Sequence, residues 1–229
     1  MDKKVIILTK SDKNGGYCVA GIDTSNGKFI RLVSEDEESE YALFDSDITY
    51  EDGQCLKVMD TIYVKLKDKQ DCWFQPENYI IDSEYYLKKI GTATLDQIKN
   101  YLTHQDYIFY NNSNSILTNE LRKQLKKYSL LIVELDELNL WRDKFKEKRI
   151  MASFLYNNQR YSYIKITDSI LTEKYYYEVC QSEPRPYTLN NVIVIFSLAC
   201  VFNMNASHYK LIANIIEQPR RVGFRNIMF

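Results

Sequence analysis

The stretch "ILTKSDKNGGYCVAGIDTSNGKFIRLVS" (residues 7–34) decides the fold of the first half of the chain. It contains apolar segments rich in β-branched and aromatic residues, separated by a Gly-Gly turn and an Asn-Gly turn. Such runs bounded by turn signals are typical of strands. Asn26-Gly27 also predicts a type I′ hairpin turn, because both central residues of that turn need positive φ. We therefore predict strands at 4–9, 17–22 and 28–33.

Similar strand-like segments recur along the rest of the chain, and two short segments have helical spacing. The further strands are predicted at 61–67, 77–82, 129–136, 149–156, 161–168, 191–202 and 208–217, and the helices at 94–102 and 118–128. The segment 181–191 holds two of the four prolines and is predicted to be a loop.

Five-strand modules of about 100 residues fit small barrels such as the OB-fold. The predicted fold is therefore mainly β, with two tandem small OB-like β-barrels joined by a short helical connector. The predicted boundaries are 1–92 for the first barrel, 93–128 for the connector, 129–217 for the second barrel and 218–229 for a basic tail.

The cysteine pattern and the lengths of the apolar runs predict the cellular compartment of the protein. The five cysteines are odd in number and scattered, without a CxxC pair, which argues against a disulfide framework and a zinc site. The apolar run near the N-terminus is too short for a signal peptide. The longest apolar run, 192–202, is too short to cross a bilayer. We expect a cytoplasmic protein with no membrane contact.

The net charge of −1 conceals a marked asymmetry. Residues 1–118 hold 13 Lys and Arg against 20 Asp and Glu, whereas residues 119–229 hold 17 against 11. Nine acids and no base lie in 35–52, which predicts a solvated loop, with a basic protein partner or a divalent metal as alternatives. Two modules with different electrostatic tasks are indicated.

Residue patterns for catalysis are scarce in this sequence. The two histidines, His104 and His208, have no partner in view, and no phosphate-binding glycine loop or HExxH motif occurs. Asp143 and Glu147 precede Lys148, but the spacing is wrong for a metal-dependent nuclease, and local ion pairs are the expected role of these acids. We predict no catalytic residue, no metal and no cofactor, with a nuclease as the least favoured alternative.

The second module carries the best candidates for binding. In "WRDKFKEKR" (141–149), Trp141 and Phe145 interleave with basic residues, and single-stranded nucleic acid is bound by such combinations of stacking rings and cations. The alternative is a solvated segment whose two rings point into the core. The candidate residues are Trp141, Arg142, Lys144, Lys146, Lys148, Arg149 and Arg160, with Arg220 and Arg221 of the tail.

A second candidate site lies at the first hairpin. Lys10, Ser11 and Lys13 close one end of the hairpin, and Arg31 is expected to face away from the core that Ile30 and Leu32 reach. A phosphate would bind there through ammonium groups and turn amides. The alternative is a set of ordinary solvent-facing residues on a half-exposed sheet.

Three segments resemble the dual OB domain family of bacterial proteins. They are the opening stretch, "QPENYIID" (75–82) and "FSLACVF…HYKLIANIIE" (196–217), and the resemblance spans nearly the whole chain. It implies two tandem OB-like barrels, a nucleic-acid association and an occurrence among mobile-element and defence-related genes, but no reaction. The residues that map onto the pattern are Lys10, Ser11, Lys13, Cys18, Gly21, Arg31, Glu77 and Asn78.

Two functions follow from these patterns. The first is a non-catalytic nucleic-acid-binding module, an accessory subunit of a bacterial anti-phage defence complex, whose partners are DNA or RNA (single strands favoured) and other protein subunits. The second is a protein-interaction subunit that docks its acidic and basic surfaces on complementary partners. Steep salt dependence of nucleic-acid binding separates the two.

Overall fold

The apolar runs of the sequence form two closed five-stranded β-barrels, which confirms the predicted mainly β, tandem OB-like fold. The computed structural model describes residues 1–219. In each barrel the strands close in the order first, second, third, fifth, fourth, and the third and fifth strands pair in parallel. One additional strand is attached to each barrel.

The first barrel is built by six strands. They are β1 (Asp2–Lys13), β2 (Gly16–Asp23), β3 (Lys28–Val33), β4 (Asp60–Lys69), β5 (Asn78–Ile81) and the attached β6 (Lys88–Thr92). The hairpin between β2 and β3 is present, but its turn spans residues 24–27 and only Gly27 has positive φ, at 68°. The type I′ assignment at Asn26-Gly27 is therefore wrong, and the two-residue turn with two positive φ values is instead Asn14-Gly15, between β1 and β2.

The acidic segment 35–52 closes one end of the first barrel. Its acids point mostly outward, but Leu43, Ile48 and Tyr50 are buried in the barrel core. The Tyr50 hydroxyl donates to the buried Asp60 carboxylate at 2.7 Å. The expectation of a solvated loop is therefore wrong for the apolar half of the segment, because three separated apolar residues suffice to seal a small barrel.

The second barrel repeats this topology with longer strands. Its strands are β8 (Leu130–Arg142), β9 (Ile150–Tyr156), β10 (Gln159–Ile166), β11 (Tyr187–Phe202) and β12 (Ser207–Glu217). A helix, α3 (Ser169–Ser182), lies between its third and fourth strands, the position that the acidic segment occupies in the first barrel.

Helix α3 is an element that the sequence patterns did not assign. Its N-cap is Asp168, whose side chain accepts from the Leu171 amide at 2.9 Å. Leu171, Tyr175 and Val179 are buried at i, i+4, i+8 spacing. The predicted loop 181–191 is wrong at both ends, since α3 runs to Ser182 and β11 begins at Tyr187. Among residues 1–219 no helix is long and apolar enough to span a membrane.

Residues 93–128, predicted as a connector, include helices α1 (Leu95–Lys99) and α2 (Thr118–Lys123) and a strand, β7 (Ser115–Leu117), that pairs with β12. The loop before β7 is fastened to the second barrel by the buried Lys210, whose ammonium donates to the Asn111 carbonyl at 2.6 Å. Burial lowers the pKa of Lys210 to about 7. Residues 93–128 therefore form part of the second barrel's structure and also link the two barrels.

An apolar cluster joins the two barrels. In β1, Val5 and Ile7 point into their own barrel, whereas Ile6 and Leu8 pack against Ile193 and other residues of the second barrel. Strands buried on both faces need apolar residues at consecutive positions. This accounts for the uninterrupted apolar runs at 5–8 and 192–196.

A buried polar network lies beside this cluster. The Arg31 guanidinium, 2% exposed, donates to Asn78 Oδ1 at 3.0 Å, to Ser129 Oγ at 2.9 Å and to Ser197 Oγ at 3.3 Å. The Ser129 hydroxyl donates in turn to Glu77 Oε2 at 2.9 Å. One hydroxyl of the second barrel therefore bridges a buried cation and a buried carboxylate of the first.

The β4–β5 loop of the first barrel reinforces this contact. Phe74 packs within the core cluster of the second barrel, and the Gln75 side-chain amide donates to the Leu198 carbonyl at 3.1 Å. Both residues are buried. The loop is therefore a structural part of the interface between the barrels.

Replacing Arg31 by Ala is expected to lower the free energy of unfolding by about 1–3 kcal/mol, because it leaves the buried side-chain oxygens of Asn78, Ser129 and Ser197 without their charged donor. Urea unfolding followed by circular dichroism measures the change. The matched control is Arg160→Ala, since Arg160 is exposed, and it should alter stability by no more than about 0.5 kcal/mol. Equal stabilities of the two variants would contradict the network's role.

Candidate nucleic-acid interface

An open groove of about 1090 Å³ lies on the outer face of the second barrel. We call it the second-barrel groove. It is walled by the end of β8, the β8–β9 loop (143–149), the outward faces of β9 and β10, and the turn after α3. Its lining includes Asn139, Trp141, Arg142, Lys144, Phe145, Ser153, Arg160, Ser162, Tyr163, Tyr176, Glu183 and Arg185.

A β-bulge in β10 supplies one wall of this groove. Tyr161 pairs with Phe154 and Ile164 pairs with Ala152, so Ser162 and Tyr163 together lie opposite a single β9 residue. Tyr163 has φ of 61°, in the left-handed region that a tyrosine rarely adopts. Bulges re-aim side chains, and here Tyr163 becomes 67% exposed although Tyr161, two residues earlier, is fully buried.

Three aromatic side chains meet solvent in the groove. The Trp141 ring is partly buried and stands edge-on to the Tyr163 ring, with centroids 5.9 Å apart. Phe145, on the β8–β9 loop, is 95% exposed. The alternative in which Trp141 and Phe145 both point into the core is therefore wrong for Phe145 and only partly right for Trp141.

Two of the candidate cations are held by carboxylates of the chain. Arg142 forms a bidentate pair with Glu183, with Nε–Oε1 at 3.1 Å and Nη2–Oε2 at 3.0 Å. Arg149 pairs with Asp143 at 3.2 Å, the local ion pair expected of that acid. The Phe145 amide and then Arg149 keep the pKa of Asp143 below its ordinary value. Arg142, Asp143 and Glu183 therefore form part of the groove wall, and neither arginine offers an unpaired charge.

The remaining cations of the groove are exposed. Lys144, Arg160 and Arg185 form no ion pair with any carboxylate of residues 1–219. Within the same part of the chain no three His, Cys, Asp or Glu side chains are grouped as metal ligands. The groove therefore combines unpaired cations with solvent-facing rings.

A second concavity of about 710 Å³ lies on the other side of the β8–β9 loop, against α3. Lys146 and Lys148, both exposed, and the partly buried Lys165 line it. Burial, then Arg149 and Lys146, lower the pKa of Lys165. The pocket shares Glu147 and Tyr176 with the second-barrel groove, so the two adjoin. Its four cations exceed its three acids, Asp12, Glu147 and Glu173, by one.

At the first hairpin the three candidate residues have separate surroundings, and only the two lysines reach the surface. Ser11 is 4% exposed, and the Lys13 ammonium donates to the Glu40 carbonyl at 2.5 Å. The Lys10 ammonium lies over the Tyr17 ring, 4.3 Å from its centroid. The acidic segment packs beside this hairpin and contacts Lys13, Asn14 and Tyr17.

Arg31 is also not a surface ligand. It faces away from its own core, as its neighbours predict, but the second barrel covers that face. The candidates Arg220 and Arg221 lie outside the described residues. The structure thus brings together only the candidates of the second barrel: Trp141, Arg142, Lys144, Lys146, Lys148, Arg149 and Arg160.

Sequence reasoning missed Tyr163, Arg185 and the pocket role of Lys165. Alternation along β10 places Tyr163 on the same face as Tyr161, and no pattern in the sequence marks the bulge that separates them. Arg185 was assigned to a loop that is instead a tight turn beside the groove. The helical spacing of Leu171, Tyr175 and Val179 was the available signal for α3, which places that turn.

Comparison with known proteins identifies a family match over most of the chain. A family model described as "Dual OB-containing domain" matches residues 3–215. No curated protein matches the sequence. Among solved structures the chain is similar to the crystal structure of the tetrameric p202 HIN2, with 11% identity, 93% of each chain covered and a TM-score of 0.31. A TM-score this low supports no inference about function.

The strain at Tyr163 is testable through stability. Tyr163→Val should be less stable than Tyr163→Asn by about 1 kcal/mol, because a β-branched residue tolerates positive φ poorly whereas Asn tolerates it. Urea unfolding gives both free energies. At Leu155, exposed on the regular strand β9, the order should reverse, since Val favours strands. The same order at both positions would contradict a left-handed Tyr163.

Proposed function

Because the chain belongs to the dual OB-containing domain family, we propose that it is a non-catalytic module that binds single-stranded nucleic acid with its second barrel. The observation that carries the proposal is the second-barrel groove, where exposed rings lie beside unpaired cations. In OB-folds the outer face of the second and third strands, with the loop between the first and second, binds oligonucleotides. Strands β9 and β10 and the loop 143–149 occupy those positions.

Single strands suit this groove better than duplexes. Trp141, Phe145 and Tyr163 offer ring faces or edges to bases, and stacking requires bases whose faces are free. Lys144, Arg160 and Arg185 are placed for the phosphates between stacked bases. Rings and cations act together, because charge alone holds the backbone without ordering the bases.

The first barrel offers no equivalent surface. Its first loop is the two-residue turn Asn14-Gly15, and its β4–β5 loop is buried against the second barrel through Phe74 and Gln75. The face of β3 that would meet a ligand carries Arg31, which is hydrogen-bonded to the second barrel. Binding is therefore assigned to the second barrel.

The proposed function also includes a cellular location and a complex. We place the module in the bacterial cytoplasm, as an accessory subunit of an anti-phage defence complex, on the resemblance of its sequence to proteins of defence-related genes. Of the three groove acids, Asp143 and Glu183 are each paired with an arginine and only Glu147 has no ion pair within residues 1–219, which favours binding over a catalytic carboxylate cluster. The exposed acids Glu35–Glu38 support a contact with a basic protein subunit, and they carry the alternative function of an interaction scaffold.

Fluorescence anisotropy with a labelled single-stranded oligonucleotide of about 30 nucleotides, longer than the roughly 4–16 that one OB barrel covers, tests the proposal. Trp141→Ala should weaken binding by about 5- to 150-fold, the loss expected for a stacked base. Arg160→Gln should weaken it and make the salt dependence less steep by about one phosphate contact. DNA and RNA versions of the oligonucleotide are compared in the same assay.

Tyr86→Ala is the matched aromatic control, because Tyr86 is 66% exposed on the first barrel, away from the groove. It should leave the affinity unchanged. Binding that is absent at low salt for single- and double-stranded DNA and RNA alike would overturn the proposal and favour the interaction scaffold.

Lys165 gives the binding a pH dependence. Its lowered pKa means that it loses its charge at a lower pH than an ordinary lysine, so affinity for the oligonucleotide should begin to fall at a pH below the range in which ordinary lysines titrate. Lys165→Arg keeps the charge below that range and should flatten this part of the profile. Identical profiles for the two proteins would exclude Lys165 from the binding surface.

A further inference from the structure

A cleft of about 900 Å³ separates the two barrels on another side of the molecule. We call it the interbarrel cleft. The β2–β3 turn and the end of β4 line it from the first barrel, and residues 100–105 and 126–131 line it from the other side. None of the candidate binding residues predicted from the sequence lines this cleft.

The rim of the cleft is cationic. Lys28, Lys69 and Lys126 are exposed and form no ion pair with any carboxylate in the part of the chain that the structure describes. The cleft's two carboxylates are already satisfied. Asp23 accepts from Lys3 at 2.6 Å and from Ser25, and Glu77 accepts from both the amide and the hydroxyl of Ser129. An anion entering the cleft would therefore meet unneutralised positive charge.

The walls of the cleft carry partly exposed rings. Phe29 and Tyr79 come from the first barrel, and Tyr101 comes from the segment after α1. The Tyr101 ring lies against Gly27, only 3.6 Å from where a Cβ would stand. This is an ordinary van der Waals separation, so the β2–β3 turn packs beside the Tyr101 ring at the cleft wall, and the glycine there serves the positive φ of 68° that the turn needs. Rings between lysines are the combination that binds bases and phosphates.

The cleft is separate from the second-barrel groove. Strand β8 runs from the cleft, at Leu130, to the groove, at Trp141, a span of roughly 36 Å at the usual rise of a strand. Between them lies a depression lined by Asp106, Glu134 and Asp136. A polyanion would contact the two cationic sites and avoid the acidic depression between them.

We infer that the interbarrel cleft is a second nucleic-acid site, which takes the sugar–phosphate backbone and a base of a single strand and spans both barrels. This inference rests on the proposed function, because it assigns the same class of ligand to a second surface. A strand that reaches both sites must be longer than one that fills the groove. The cleft should therefore contribute to the binding of long strands.

The variant Lys28→Gln/Lys69→Gln/Lys126→Gln tests the inference by anisotropy with a long oligonucleotide (about 30 nucleotides) and a short one (about 8, within the range that one OB barrel covers). For the long oligonucleotide we expect at least a tenfold loss of affinity and a salt slope reduced by about two, since each phosphate contact of a single strand contributes about 0.7. For the short oligonucleotide the loss should be smaller.

The control variant Lys4→Gln/Lys57→Gln/Lys88→Gln removes the same charge from exposed lysines of the first barrel outside the cleft. It should change affinity by less than about twofold, because distant surface charges are screened. Equal effects of the two triple variants would overturn the inference. If Trp141→Ala does not weaken binding, the proposal that the second-barrel groove binds nucleic acid is overturned instead. The two proposals can therefore fail separately.

Photocrosslinking locates the strand directly. An oligonucleotide containing 5-iododeoxyuridine should crosslink to peptides that contain Tyr79 or Tyr101 as well as to groove peptides. Crosslinks confined to residues 141–163 would overturn the inference. Crosslinks in the cleft that saturating AMP abolishes but an unlabelled long strand does not would assign the cleft to free nucleotides, and would also overturn it.

Discussion

The buried Arg31 guanidinium is the constraint on which the arrangement of the two barrels depends. Burying a cation is costly unless it is hydrogen-bonded, and the two terminal nitrogens of Arg31 donate to partners in both barrels, at Asn78, Ser129 and Ser197. The Ser129 hydroxyl in turn donates a hydrogen bond to the Glu77 carboxylate. Apolar contacts alone tolerate sliding, whereas these directional bonds fix one orientation. The interbarrel cleft, whose walls come from both barrels, keeps its shape because that orientation is fixed.

The two barrels share one topology but differ in their loops, and these differences give the barrels different roles. The first barrel has a two-residue first loop, an acidic cap and a β4–β5 loop that enters the interface. The second barrel has the longer loop 143–149, the helix α3 and a bulge that turns Tyr163 outward. The face that a typical OB barrel offers to its ligand is therefore a docking face in the first barrel and an open groove in the second. The charge asymmetry of the sequence follows this division.

Local patterns predicted much of the fold and the core of the candidate site. Apolar runs and turn residues located most strands, and the interleaved rings and cations of 141–149 pointed to the groove. Arg31 was wrongly predicted to be a binding residue at the surface. Strand alternation shows that its side chain points away from its own core, but it does not show that the second barrel covers that face. Tyr163 was missed because a bulge changes the face of a residue without changing composition. The interbarrel cleft was not predicted, because Lys28, Lys69 and Lys126 are far apart in the sequence and are brought together only by the tertiary structure.

Hydrogen–deuterium exchange of the chain with and without a saturating single-stranded oligonucleotide tests the central claim, that the second barrel binds and the first barrel's equivalent face is closed. The account predicts slower exchange of the amides of residues 141–149 and 160–163 in the complex, with no change across the first hairpin, residues 10–18. Protection of residues 10–18 without protection of the β8–β9 loop would contradict it.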